Sequence, residues 1–209
     1  MRDEWLTSVL VRGAAGNGDT PWRPQGRAAA AAADREVRDG LLQQVVGDVI
    51  LAADVTLDAA LRARALALFV PTGVVVIADA AAWVHLGRPL PAPHEVQVAG
   101  GRLPELPHAP LRLSFSRVRP APGDVQDLAG LALTTPARTL LDVAAVRPHR
   151  APWLRERMLD AGLLADGDLR DASDRARGRG GVRTARRALD LPRAPRPREE
   201  VRPSSDATP

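Results

Sequence analysis

All 29 basic residues of this 209-residue chain are Arg, and Lys, Cys and Tyr do not occur. That composition removes much of enzyme chemistry. No Walker A lysine, Schiff-base amine, Asp-x-Glu-x-Lys nuclease centre, Cys nucleophile or thiolate zinc site can be assembled from it. The patterns Gly-x-Ser-x-Gly and His-Glu-x-x-His are missing too. His85, His94, His108 and His149 stand in four different contexts, which reads as surface or helix-end histidines rather than a metal site. The expectation is a protein without enzymatic activity, cofactor or metal.

What remains is guanidinium chemistry with phosphate, and the charge is unevenly placed. Residues 175–202 hold ten Arg and three acids, a net +7. Positive charge facing a duplex binds it by releasing counter-ions, so this is the segment expected to contact phosphate. Val182, Ala185 and Leu189 mark the inward face of a last helix, which turns Arg183, Arg186 and Arg187 outward, with Arg177 and Arg179 just upstream. The same segment also reads as a solvated Arg-rich tail. Residues 21–55, by contrast, hold four Arg against five acids. There Arg35 and Arg38 would read bases rather than supply affinity.

Two further constellations stand out. Asp79, Trp83 and His85 lie on one short helix, where Asp79 is expected to cap the N-terminus, Trp83 to pack inward with Ala82, and His85 to sit near the C-terminus, where partial positive charge is favoured. Thr135-Pro136 starts another helix, with a hydroxyl cap and a proline at the first position, where a missing N–H costs nothing. Ala137, Leu140, Leu141 and Ala144 then share one apolar face, while Arg138 and Asp142, four apart, pair on another. Structural roles are expected for both sets.

The elements that must position these residues make an α+β chain. Residues 1–20 read as a disordered leader. Residues 21–55 read as a small winged-helix-like module: helices over 26–33 and 34–40, with Asp34 as a cap, then a hairpin over 41–52 turning at Gly47-Asp48. Residues 56–191 form a mixed α/β domain. It opens with a Thr56-capped helix from Leu57 to Phe69, whose apolar stripe leaves Arg62 and Arg64 outside. Short strands over 74–77, 95–99 and 111–116 give a small sheet, joined by Pro- and Gly-rich connections over 88–94 and 100–110. A helical C-terminal part follows the Thr135 helix, over 151–161, 165–176 and 181–191, and a disordered tail over 192–209. The core should be aliphatic, with only two Phe and four Trp in the chain. The N-terminus lacks the apolar run of a secretory signal, and Pro71, Gly73 and Asp79 interrupt the longest apolar region. A cytoplasmic protein without a membrane partner is expected.

The block Ile77-Ala-Asp-Ala-Ala-Ala-Trp-Val-His-Leu-Gly87, followed by Gly130-Leu-Ala-Leu-Thr-Thr-Pro-Ala-Arg-Thr-Leu-Leu-Asp-Val-Ala144, resembles the actinobacterial branch of the AbiEi-type antitoxins of type IV toxin–antitoxin systems. The order of the two blocks is the specific part, and Asp79, Trp83, Thr135, Pro136, Arg138 and Asp142 are the residues that carry it. The resemblance reaches back to about Pro21 and forward through Gly178-Arg-Gly-Gly-Val-Arg183 to about Leu191. It implies a non-enzymatic regulator that binds operator DNA, represses its own operon and counteracts a nucleotidyltransferase-like toxin without a stable complex. Proteins of this layout often continue into a very-short-patch-repair-like nuclease domain, which this chain is expected to lack. One departure bears on DNA binding: Val45-Val-Gly-Asp-Val-Ile50 stands where the family has an Arg-rich hairpin, and its tip carries Asp48. The alternative is a protein-interaction or degenerate scaffold domain, the non-catalytic half of a nuclease-fusion relative.

Overall fold

In the computed structural model the described residues are 19–87, 89–100, 111–117, 119–165 and 167–191. The leader up to residue 18, most of the 100–110 connection and the tail from 192 lie outside them. The chain is α+β. Helix α1 (Gly26–Arg38) precedes the hairpin β1 (Leu42–Val46) and β2 (Val49–Ala52), then α2 (Ala59–Ala67), β3 (Val75–Val76), α3 (Ala78–Leu86), β4 (Glu95–Ala99) and β5 (Arg112–Ser116). A second hairpin, β6 (Val125–Leu128) and β7 (Leu131–Thr134), leads into α4 (Pro136–Val146), α5 (Ala151–Asp160), α6 (Asp168–Arg175) and α7 (Val182–Ala188).

The N-terminal segment has one helix where two were expected. The Ala28–Ala33 run is the strongest helix former in the chain and carries straight through Asp34, which is solvated mid-helix and caps nothing. The helix stops at Gly40, whose φ of 74° allows Leu41 N to donate to Glu36 O at 2.9 Å. The segment is thus one helix and a hairpin, with an antiparallel bridge from Trp22 to Ile50. Its hairpin does not stand free. Val45, Val46, Val49 and Leu51 are buried in one hydrophobic cluster with Leu66 and Phe69 of the following segment. Arg23 fixes the hairpin tip, donating to both Asp48 oxygens at 2.7 and 2.8 Å while lying 4.6 Å over the Phe69 ring.

The main sheet runs in the order β5-β4-β3-β7-β6. Strand β3 is antiparallel to β4 and parallel to β7, and β4 is parallel to β5. The β6–β7 hairpin was not expected from the sequence. Ala129 at φ 52° and Gly130 at φ 86° give it a tight turn of the kind that matches strand twist, and Asp127 accepts the Gly130 N–H at 3.1 Å.

Helix α3 is buried almost all round: only Asp79 and Leu86 among its residues are not. Its Ala-rich first turns let α2, α4 and β4 approach closely. Trp83 is 4% exposed, as expected from its inward position. The α4 face of Ala137, Leu140, Leu141 and Ala144 is core, with Thr135 Oγ1 accepting the Arg138 N–H at the helix start. Burial of α4 goes further than that face, because α3, α5, α6 and α7 surround it.

Helix α2 begins two residues later than expected. Asp58 rather than Thr56 caps it, its carboxylate accepting Leu61 N–H at 2.7 Å, a charge-assisted bond at the positive end of the helix. The larger correction is Arg62, which is buried rather than outside the packing face. Its guanidinium donates to Val84 O, His85 O and Leu57 O at 3.0, 3.3 and 2.6 Å, so it caps the carboxyl end of α3. Amphipathic counting misplaced it because the long aliphatic stem packs while the head finds carbonyls. Gly87 closes this arrangement: its φ is 63°, and a Cβ there would stand 2.5 Å from Arg62 Nη1.

Gly87→Ala therefore combines backbone strain with displacement of a buried guanidinium. It should destabilise the fold by about 2–3 kcal/mol, read as a lowered urea midpoint with unchanged m-value. A midpoint equal to the parent's would show that Arg62 does not hold this position.

Candidate functional site

The charged side chains fall into an interior network, a cleft and an outer basic face. The network centres on Asp124, which lies in the one-turn 3₁₀ segment Pro122–Asp124 and is 0% exposed. Its Oδ2 accepts from Arg138 Nη1 at 3.0 Å and its Oδ1 from Arg175 Nε at 2.7 Å. Arg138 in turn donates through Nε to Asp142 Oδ1 at 2.8 Å. The expected Arg138–Asp142 pair thus exists, but it belongs to a chain of four residues from three elements. The backbone joins in, since Thr135 N donates to Asp124 O at 2.9 Å and so ties the 3₁₀ turn to the start of α4. Asp124 and Arg175 were missed because Pro122-Gly-Asp reads as a turn and Arg175 as one more surface cation.

Asp79 corrects another expectation. The N-cap of α3 is Ile77, which has no side chain to offer, and the Asp79 carboxylate instead binds Arg147 and Arg150, each at 2.9 Å. It sits in the first turn, where negative charge is favoured, and joins α3 to the end of α4. His85 does lie near the C-terminus of α3, as expected, but not as a cation favoured there. It is buried, and its Nε2–H donates to Thr134 O at 2.8 Å. Burial pushes its imidazole below the ordinary value, against the raising effect of that hydrogen bond and reinforced by nearby Arg62.

Beside the network lies a cleft of about 340 Å³. One wall is the strand face carrying Gln97 of β4 and Ser114 of β5, paired in register; the opposite wall is Leu141, Asp142 and Ala145 of α4; Arg179 enters from the turn before α7. Three buried polar atoms here make no hydrogen bond to protein: Ser114 Oγ, Asp142 Oδ2 and Arg179 Nη1. Burial pushes the Asp142 carboxyl above the ordinary carboxylate value, opposed by the Arg138 charge and hydrogen bond. Two of these residues stand out in the sequence, Arg179 for phosphate contact and Asp142 for pairing, but no pattern along the chain indicates that they meet in one cleft.

The outer face collects only part of the expected Arg cluster. Arg183 and Arg187 lie one turn apart on α7, both exposed and neither in an ion pair among the described residues. Arg177 donates to Asp174 at 3.1 Å and remains about half exposed. Arg186 does not point outward as expected: its side chain is 15% exposed and lies 3.5 Å from Asp174, since at i+4 from Val182 it shares the inward edge of a short helix. Arg35 and Arg38 are exposed in the last turn of α1, Arg35 donating to Ala31 O at 3.3 Å. They lie on a different element from the α7 pair. Among the described residues no three His, Asp or Glu are grouped as metal ligands, and no helix is long and apolar enough to cross a membrane.

No family model matches the chain, and no curated protein matches it.

Two outcomes follow from the interior charges. Asp124→Ala removes the buried carboxylate that Arg138 and Arg175 share, leaving Arg138 with Asp142 alone, and should cost about 3–5 kcal/mol; calorimetric or urea unfolding would measure it, and a loss under about 1 kcal/mol would contradict the network's role. The second concerns pH. With the folded His85 value below 6.5, the unfolded chain binds a proton that the folded one refuses. This contribution to stability is therefore complete above about pH 6.5 and is lost as pH falls below it. Urea midpoints of the parent should drop between pH 7.5 and pH 5 more steeply than those of His85→Gln; parallel profiles would place the titration elsewhere.

Proposed function

We propose that this protein is a non-enzymatic, antitoxin-like DNA-binding regulator of the type IV toxin–antitoxin kind, working in the cytoplasm on an operator. Its functional partner would be a nucleotidyltransferase-like toxin that it counteracts without a stable complex. The observation that carries the DNA-binding part is the pair Arg183 and Arg187, exposed on one face of α7 without ion pairs among the described residues, with Arg177 half exposed nearby. Guanidinium groups not neutralised by the protein's own carboxylates are the ones that can displace counter-ions from a duplex.

The N-terminal segment supports affinity poorly. Arg23 is committed to Asp48, so the hairpin tip offers phosphate no free cation. Arg35 and Arg38 are left to contact base edges or sugar, a role in preference rather than strength. The non-enzymatic part of the reading rests on how the carboxylates are used. Asp79 and Asp124 each hold two guanidinium groups at 2.7–3.0 Å, one on each oxygen, which occupies them structurally. The two motif blocks behind the antitoxin resemblance are the ones whose residues build this interior, with Trp83 in the core, Thr135 and Pro136 starting α4, and Arg138 and Asp142 in the network.

Replacing Arg183 and Arg187 together with Gln should weaken binding of upstream DNA about tenfold at moderate salt and reduce the log–log salt slope by roughly two. Arg35→Gln with Arg38→Gln should change sequence preference and leave the slope almost intact. Gel-shift titrations at two salt concentrations measure both. Full affinity in the α7 variant would move the interface elsewhere, and no DNA binding by the parent would favour the protein-interaction reading.

A further inference from the structure

The cleft between the β4–β5 face and α4 plays no part in the proposed DNA contact, yet its polar groups are unusual. Folded proteins pair more than about nine-tenths of their buried polar atoms, and here three that make no protein hydrogen bond converge from three separate elements. Ser114 Oγ comes from an edge strand, Asp142 Oδ2 from the middle of α4 and Arg179 Nη1 from the turn before α7. Arg179 is close enough for its charge to act on Asp142, but the two form no ion pair. Each of these side chains thus keeps one hydrogen-bonding position that no protein group fills and only a third party can. Ala78, which also lines the cleft, is held at φ 53°, a left-handed conformation that an alanine rarely adopts.

The chemistry of that third party can be narrowed. Arg179 can only donate and ionised Asp142 can only accept, while Ser114 and Gln97 can do either. The complementary molecule must therefore carry an acceptor and an N–H or O–H donor. Charge excludes an anion as the preferred guest, because Arg138 and Arg179 are balanced by Asp142 and Glu95 along the same lining. Shape adds a third constraint. A sheet face opposite a helix, with Leu141, Ala145 and Val182 as apolar lining, forms a slot suited to a flat molecule, and a volume of about 340 Å³ is at the small end of ligand sites. A neutral, planar ring with adjacent donor and acceptor is the hydrogen-bonding edge of a nucleobase.

We propose that this cleft binds a nucleobase, held through Arg179, Asp142 and Ser114, as a site separate from the Arg183–Arg187 face. The base can come from a free nucleoside or from an unstacked position in a single strand, and the test has an arm for each. Full-length protein is titrated calorimetrically with adenosine, guanosine, cytidine and uridine, and in parallel with a short mixed-sequence single-stranded DNA. At least one of these should bind with Kd below about 1 mM. Ser114→Ala and Arg179→Met should each weaken that binding about fivefold or more, as expected for one lost hydrogen bond. Ser114→Ala removes no hydrogen bond seen within the protein, so its melting temperature should stay at the parent's value; Arg179→Met also removes a charge that acts on Asp142, and a cooperative melt shows that it still folds, which separates lost binding from lost fold. Asp142→Asn, which keeps the shape, should shift preference among the four bases. Arg183→Gln with Arg187→Gln should leave nucleoside binding unchanged. Binding of nucleosides identifies a small-molecule site, and binding of the strand alone, still dependent on Ser114 and Arg179, identifies a base-extrusion site. No binding of either probe, or binding indifferent to both Ser114→Ala and Arg179→Met, overturns the proposal.

Discussion

A carboxylate withdrawn completely from water is costly unless cations follow it in, and Asp124 is withdrawn completely. Two guanidinium groups follow, one from α4 and one from α6, each bonding a different oxygen. From this requirement much of the architecture can be traced. Arg138 must face the 3₁₀ turn, which sets the rotation of α4 and turns Leu140, Leu141 and Ala144 into the core. Arg175 must reach the same carboxylate, which brings α6 against α4 and with it the turn that delivers Arg179 to the cleft. The Thr135 N–H bonded to the Asp124 carbonyl holds β7, the helix start and the network in one frame.

A second set of polar contacts does for α3 what this one does for α4. Arg62 satisfies the carbonyls at the end of α3, His85 bonds across to Thr134, and the hydroxyls of Thr134 and Thr139 meet at 2.7 Å. The two helices thus share β7 as a common anchor, and Asp79 with Arg147 and Arg150 joins their other ends. The interior is aliphatic, as composition demanded, and such a core leaves orientation to be settled by directional bonds. Buried Arg takes that part in a chain without Tyr.

Local chemistry was legible in the sequence and distant partnership was not. Thr135-Pro136 located α4, the alternation in Glu95–Ala99 gave β4 to the residue, and Gly47-Asp48 placed a turn, because each depends on neighbours in the chain. The β6–β7 hairpin escaped because its signal is an Ala-Gly turn between short strands, weaker than the usual Asn-Gly or Asp-Gly. The longer-range failures share one cause. Arg62, Asp124, Arg175 and His85 find their partners 14 to 51 residues away, and no periodicity encodes such a distance. Arg179 and Asp142 were both noticed, yet their meeting in a cleft depends on how two helices dock. Counting Arg residues likewise located the basic segment but not which of its members are spent on Asp174.

The bond from Arg175 to Asp124 spans 51 residues and comes from the last third of the chain. During synthesis the sheet strands and α4 emerge before α6 exists to complete their charge balance. Asp124 then has Arg138 alone, and its other oxygen is left without the cation that the folded chain gives it. The contact that completes the charge balance on this side is accordingly non-local, of the kind whose closure slows with separation along the chain. The helical C-terminal part is in this sense a completing piece of the domain rather than an appendage to it.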